Sequence, residues 1–113
     1  MLSQRKPRRG EIWQATISDV SEHKLWLIVS NNNINENEDM YLAVRVTTTS
    51  KWAHLPTWVA IPPGDHGCVH GYINTDTLTT LFPRDFDKPE PECAVSGATM
   101  AAIQPALLKT LGY

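Results

Sequence analysis

The sequence predicts a small, mainly β (α+β) fold in which five to six short strands curl into a barrel and one C-terminal helix lies across it. Short segments of alternating apolar and polar residues predict the strands, because neighbouring side chains of a strand point to opposite faces. Turn-forming residues separate these segments, and apolar residues recur at helical spacing near the C-terminus. A chain of 113 residues is long enough for one domain with a modest core.

Composition narrows the function class. An apolar content of 42% and four tryptophans argue against a disordered chain, and a net charge of −2 gives no overall attraction to nucleic acid or membranes. Residues 1–9 are basic and predict a flexible tail before a single domain at residues 10–113. No segment resembles a membrane span or a signal peptide, so we expect a cytoplasmic protein. Cys68 and Cys93 are then interpreted as free thiols, with one disulfide as the alternative.

The first two predicted strands form a hairpin. Residues 11–17 alternate, which places Trp13, Ala15 and Ile17 on one face. Residues 25–29 are apolar on both faces, and this pattern indicates a central strand that is covered on both sides. The polar residues between the two segments predict a longer hairpin loop.

The third predicted strand, residues 40–49, ends in a run of hydroxyl side chains. The alternation places Arg45 and Thr47 on the same face. Hydroxyl donors and a cation at the rim of a sheet can hold an anion. The plain alternative is that threonine favours strands and that a loop simply begins here. The residues that follow Thr47 and supply these groups are Thr48, Thr49 and Lys51.

The second half of the chain predicts further strands and a helix. Residues 57–61 and 71–74 predict two strands, residues 76–81 fit either a continuation of the strand or a helical turn, and residues 92–95 predict a last short strand. A helix is predicted over residues 98–111. Ser96 is the predicted N-cap of this helix. Pro105 lies inside the helix and predicts a kink or a split.

Taken in order, these segments resemble the MazF/PemK-like toxins of toxin–antitoxin systems. The resemblance runs from about residue 8 to residue 111. The matching segments are residues 9–13 (Arg-Gly-Glu-Ile-Trp), 27–32 (Leu-Ile-Val-Ser-Asn-Asn), 46–51 (Val-Thr-Thr-Thr-Ser-Lys), 55–57 (Leu-Pro-Thr) and 74–78 (Asn-Thr-Asp-Thr-Leu).

The resemblance implies a homodimer of SH3-like barrels that cleaves single-stranded RNA without a metal or another cofactor. It also implies neutralisation by a cognate antitoxin whose disordered tail lies along the dimer groove. The implied chemistry is attack of a ribose 2′-hydroxyl on its own phosphate, which leaves a 2′,3′-cyclic phosphate and a 5′-hydroxyl. Such a reaction needs proton transfer and a cation that faces the phosphorane oxygens.

The resemblance assigns the two catalytic positions to Lys24 and Thr47, with Thr48 as a one-residue alternative to Thr47. Lys24 departs from the family, which has arginine there, and lysine lacks the planar fork that grips two phosphate oxygens. Because Arg45 shares a face with Thr47, we hypothesise that Arg45 supplies the missing guanidinium; a plain surface or interface arginine is the alternative. Thr48, Thr49 and Lys51 are the expected phosphate contacts.

Two further residues are candidates for substrate contact. Trp52 follows the hydroxyl run and is a candidate for contact with RNA or antitoxin, and His23 adjoins Lys24. The segment 65–70 contains metal-ligand residue types but lacks a paired zinc spacing, so we predict no metal. Two other functions stay open: a catalytically weak SH3-like barrel that binds a protein or nucleic acid, and a gyrase-inhibiting toxin of the same fold.

Overall fold

The computed structural model describes residues 6–17, 24–63, 65 and 68–113. Two helices and a short 3-10 turn accompany the strands: α1 (Asn32–Asn37), α2 (Gly97–Thr110) and the turn at Pro83–Asp85. The six strands are β1 (Glu11–Ala15), β2 (Lys24–Ile28), β3 (Tyr41–Thr47), β4 (Trp58–Ala60), β5 (Tyr72–Leu81) and β6 (Cys93–Ala94). The predicted mainly β fold with a C-terminal helix is confirmed.

All six strands belong to one curled antiparallel sheet in the order β4-β5-β3-β2-β1-β6. β2 therefore lies in the interior of the sheet, as its apolar sequence predicted. The segment 76–81, which fitted either a strand or a helical turn, continues β5 as a strand. Neither described helix is long and apolar enough to cross a membrane.

Each face of the sheet carries its own apolar cluster. Trp26 and Ile28 of β2 join one cluster, whereas Leu27 joins the other, so this strand is covered on both sides. Trp13 is fully buried in the first cluster, where its ring meets the edge of Phe86 at a centroid distance of 5.2 Å. Burial of a tryptophan at such an edge-to-face contact stabilises the barrel through both area and ring geometry.

Helix α2 packs its apolar side against the second cluster. The Ser96 side chain caps its first turn by accepting a hydrogen bond from the Thr99 backbone N–H at 3.1 Å. Pro105 lies inside the helix but neither splits it nor faces the core. The helix continues through Pro105 without a split because this position is exposed, where water can satisfy the carbonyl that the proline ring leaves without a donor.

Residues 6–9, which we assigned to a flexible tail, make specific contacts with α1. Lys6 Nζ donates to the backbone carbonyl of Glu36 at 2.8 Å, and the Arg8 guanidinium pairs with the carboxylate of the same residue at 3.1 Å. The Arg9 backbone N–H donates to Asn32 Oδ1 at 2.8 Å. Residues 6–9 thus pack against the folded unit, and residues 1–5 of the predicted tail lie outside the described residues.

The interpretation of two free thiols is wrong, because Cys68 and Cys93 form a disulfide. Their Cα atoms are 5.3 Å apart, a separation typical of disulfides. The bond ties the segment between β4 and β5 to the edge strand β6. Sequence spacing alone gave no sign of this contact, because the two residues are brought together by the curl of the sheet.

Reduction of this disulfide is expected to lower the free energy of unfolding by roughly 3 kcal/mol, because the bond restricts a loop of intermediate length in the unfolded chain. Urea denaturation with and without dithiothreitol measures the difference. A Cys68→Ser/Cys93→Ser double variant should unfold like the reduced protein and should not respond to the reductant. Identical denaturation curves for the oxidised and reduced wild-type protein would contradict this expectation.

Candidate functional site

A pocket of about 160 Å³ opens where β3, β4 and β5 lie side by side. The strand register explains how its residues meet. Trp58 of β4 pairs with Asn74 of β5, which in turn pairs with Arg45 of β3. Directly opposed residues of antiparallel strands share a face, so these three side chains form one row. The pocket is lined by Arg45, Thr47, Thr49, Trp58, Asn74 and Thr77.

Arg45 and Thr47 line the same pocket, as the alternation of β3 predicted. Tyr72 of β5 pairs with Thr47 of β3, so these two side chains form a second row beside the first. The rim of the sheet at the end of β3 therefore presents both a guanidinium and a hydroxyl to one ligand. Thr48 is exposed and is not among the lining residues, because it falls on the other side of the alternation.

An irregularity in β5 brings Thr77 into the pocket. Ala43 pairs with Thr79 whereas Arg45 pairs with Asn74, so residues 75–78 of β5 oppose the single residue Val44 of β3. Within this bulge Thr77 Oγ1 accepts a hydrogen bond from the Arg45 backbone N–H at 2.8 Å and donates to the Asn74 carbonyl at 2.8 Å. The bulge thereby fixes the backbone on both sides of the pocket.

Thr47 and Thr49, which line the pocket at the end of β3, each have a hydroxyl proton to donate. Thr47 Oγ1 accepts from the Thr49 backbone N–H, and Thr49 Oγ1 accepts from the Lys51 backbone N–H, each at 3.3 Å. Within the described part of the chain these are the contacts of the two side-chain oxygens. A threonine oxygen that accepts from the backbone keeps its own proton for a ligand. The backbone turn therefore orients two hydroxyl donors.

The Arg45 guanidinium has no protein partner among the described residues. Its Nε is buried without a hydrogen-bond partner there, and the two ion pairs found in that part of the chain, Arg8–Glu36 and Lys88–Glu92, do not involve it. Buried donors are nearly always satisfied by protein, water or a ligand, so the position of Arg45 at the pocket makes it a candidate for ligand contact. A guanidinium matches the geometry of a phosphate.

Asn74 is a fourth donor that the sequence did not point to. Its Oδ1 accepts a hydrogen bond from the Asp76 backbone N–H at 2.9 Å. Because a backbone N–H can only donate, the amide orientation is fixed, and the two hydrogens of Nδ2 have no partner among the described residues. No carboxylate of the described residues lines the pocket. The pocket thus offers donors from four side chains and suits an anion or a carbonyl group.

Lys24 does not line the pocket, although the sequence placed it at the centre of the site. It is the first residue of β2. Leu25 pairs with Val46, so the same register carried one residue further sets Lys24 across from Thr47. Lys24 is half-buried, and it lies beside the pocket as a second cation. His23 lies outside the described residues.

Lys51 and Trp52 lie on the exposed loop that follows β3. The Trp52 side chain is 47% exposed, and Lys51 Nζ lies 5.2 Å from the centre of its ring. This cation–π contact holds the lysine near an aromatic surface beyond the rim of the pocket. Neither residue lines the pocket, so both remain predictions for outer contacts.

Residues 8–111 match the family of PemK-like, MazF-like toxins of type II toxin–antitoxin systems. The chain belongs to this toxin family. It is 39% identical over 106 residues to the endoribonuclease MazF1 of Mycobacterium bovis and to the endoribonuclease MazF4 of Mycobacterium tuberculosis. Each alignment covers 94% of this chain and 93% of the relative.

Solved structures show the same fold. A mycobacterial endoribonuclease in complex with its cognate antitoxin superposes with a TM-score of 0.82 at 38% identity, covering 94% of this chain and 95% of that one. MazF from Deinococcus radiodurans superposes with a TM-score of 0.80 at 20% identity, covering 96% and 99%. The predicted family and its barrel fold are confirmed.

Proposed function

We propose that this toxin is a metal-independent endoribonuclease that cleaves single-stranded RNA to 2′,3′-cyclic phosphate and 5′-hydroxyl ends. The observation that carries the proposal is the Arg45 guanidinium, which lies at a pocket of hydrogen-bond donors without a protein partner. The family and the endoribonuclease relatives support the same activity. The gyrase-inhibiting alternative gains no support from the similar proteins, because these relatives are named endoribonucleases.

The proposed reaction places a phosphate of the RNA against Arg45, Thr47 and Thr49. The 2′-oxygen forms a bond to phosphorus and loses its proton, while the bond from phosphorus to the 5′-oxygen breaks and that oxygen gains a proton. Negative charge grows on the non-bridging oxygens, where a guanidinium and fixed hydroxyl donors stabilise it best. Lys24, across from Thr47 by register, supplies a second positive charge beside the pocket.

In this proposal Arg45 takes the phosphate-binding role that the resemblance gave to the position of Lys24. Arg45 lines the pocket with Thr47, whereas Lys24 lies beside it. A planar guanidinium can donate to two phosphate oxygens at once, and an ammonium acts as a point charge. The lysine at position 24 is then compatible with catalysis, which weakens the alternative of a catalytically weak binding barrel.

We also propose a homodimer that a cognate antitoxin neutralises in the cytoplasm, where its RNA substrate is. A mycobacterial relative of the same fold was solved with its cognate antitoxin. The outer side of α2 keeps apolar surface exposed, at Leu108 and Leu111, beside an apolar pocket of about 210 Å³. Apolar surface of this kind favours burial against a second copy.

The test of the proposed activity is cleavage of a long single-stranded RNA in EDTA. The wild-type protein should cleave it and leave 2′,3′-cyclic ends. Thr47→Ala should cleave about ten- to hundredfold more slowly, because one donor to the phosphorane is lost. Thr48→Ala is the matched control, since Thr48 is exposed outside the pocket, and it should retain wild-type activity. A folded wild-type protein that leaves the RNA intact would overturn the proposal.

A further inference from the structure

We propose that Trp58 and Asn74 form a nucleobase subsite beside the phosphate donors, and that this subsite selects a base with a keto group, uracil or guanine. The inference rests on the proposed function, because it places the base next to the phosphate held by Arg45 and Thr47. It concerns specificity, whereas the proposed function concerns cleavage. The two residues come from neighbouring strands that the sequence analysis did not connect.

The position of Trp58 suits a stacking platform. Its backbone pairs with Asn74, so the ring and the amide share one face of the sheet and line the same pocket. Tyr72 supports the ring from the side at a centroid distance of 6.4 Å and an angle of 46°. The two rings are tilted and do not stack on each other, so Tyr72 does not cover a face of the Trp58 ring, which can stack on a base that enters the pocket.

The amide of Asn74 supplies the selectivity. Its oxygen accepts a hydrogen bond from the Asp76 backbone N–H, which fixes the orientation of the amide and presents Nδ2, with its two donor hydrogens, to a ligand. Uracil O4 and guanine O6 accept such a hydrogen bond. Cytosine and adenine carry amino groups at the same positions. The hydrogens of such an amino group would face the hydrogens of Asn74 Nδ2, and no hydrogen bond could form. An unpaired donor in a pocket costs enough free energy to discriminate between the bases.

Neighbouring groups leave Asn74 as the discriminating residue. The Thr77 hydroxyl proton is committed to the Asn74 carbonyl, and its oxygen already accepts from the Arg45 backbone. The pocket of about 160 Å³ lies below the usual range for larger ligands, about 300–1,000 Å³, so it fits one base at a time. The subsite therefore selects the chemistry of a single base beside the phosphate.

Binding of oligonucleotides that cannot be cleaved tests this subsite separately from catalysis. Fluorescein-labelled pentamers of 2′-fluorouridine and of 2′-fluorocytidine lack the attacking hydroxyl, and fluorescence anisotropy gives their Kd values. The wild-type protein should bind the uridine pentamer about tenfold more tightly, the effect of one hydrogen bond that is made or lost. Equal Kd values for the two pentamers would overturn the proposal.

Variants of Asn74 sharpen the result. Asn74→Ala should reduce the Kd ratio to about one, and Asn74→Asp should favour the cytidine pentamer, because its free oxygen accepts from the amino group. Asn37→Asp, on α1 at the opposite end of β3, carries the same charge change and should keep the wild-type ratio. Trp58→Ala should weaken both pentamers equally, and Trp58→Phe should restore most of the affinity. An unchanged ratio in Asn74→Ala would also refute the proposal.

The two proposals fail in different ways. A protein that prefers the uridine pentamer but leaves RNA intact would keep the subsite and lose the nuclease. A protein that cleaves RNA in EDTA but binds both pentamers equally would keep the nuclease and lose the subsite. Sequencing of the cleavage sites gives an independent readout, since a keto base should recur at one position beside the cut.

Discussion

Arg45→Ala is expected to slow RNA cleavage at least about hundredfold, since a preorganised donor to the transition-state oxygens is removed. Arg45 is a cation that lines the pocket, and its guanidinium has no partner among the described residues. The substitution therefore leaves no described protein group unpaired. Arg45→Lys should recover only part of the rate, because lysine keeps the charge without the planar fork. Single-turnover cleavage in EDTA measures both rates.

The comparison that decides between the two cations uses Lys24→Ala. Lys24 lies beside the pocket, so its removal should cost less than the removal of Arg45. Arg84→Ala is the matched control for a lost arginine, because Arg84 is exposed above the ring of Phe82 at 4.8 Å. A larger loss from Lys24→Ala than from Arg45→Ala, in proteins with unchanged thermal unfolding, would return the phosphate-binding role to Lys24.

Local alternation was sufficient to predict the β3 half of the site. The period of a strand is two residues, so the sequence alone sets Arg45 and Thr47 on one face, and the structure finds them lining one pocket. The run of apolar residues at 25–29, which does not alternate, likewise predicted that β2 is covered on both faces, as the two apolar clusters show. These features depend on neighbours in the chain, which is why they could be predicted.

The other half of the site depends on which strands become neighbours. Trp58 and Asn74 meet Arg45 only because β5 pairs with both β3 and β4. Thr77 enters the pocket because β5 contains a bulge. A period-two pattern in the sequence does not predict where a strand accommodates extra residues. The disulfide between Cys68 and Cys93 has the same origin in long-range packing. Sequence resemblance gave the family, and it did not give this cross-strand register.

Gly71→Ala is expected to slow cleavage on the order of hundredfold, although Gly71 touches no substrate. A Cβ at this position would collide with the carbonyl oxygen of Thr47 and would lie 3.6 Å from the Cα of Thr48. The backbone that carries the Thr47 hydroxyl must then move, and a displacement of about 1 Å is enough to cost such a factor. The Gly71 carbonyl also accepts from the Ile61 N–H at 2.9 Å, which limits how far β5 can yield.

The same collision should lower the free energy of unfolding by about 1–3 kcal/mol, as overpacking does. Cleavage must therefore be measured well below the melting temperature of the variant, so that loss of folded protein does not imitate loss of rate. Gly97→Ala is the matched control: a Cβ there meets nothing within 4 Å, and the residue opens α2. That variant should cleave normally and gain about 0.5–1 kcal/mol of stability. If a folded Gly71→Ala protein cleaves at the wild-type rate, the exact position of the Thr47 backbone does not limit catalysis, and the role of its hydroxyl must be reassigned.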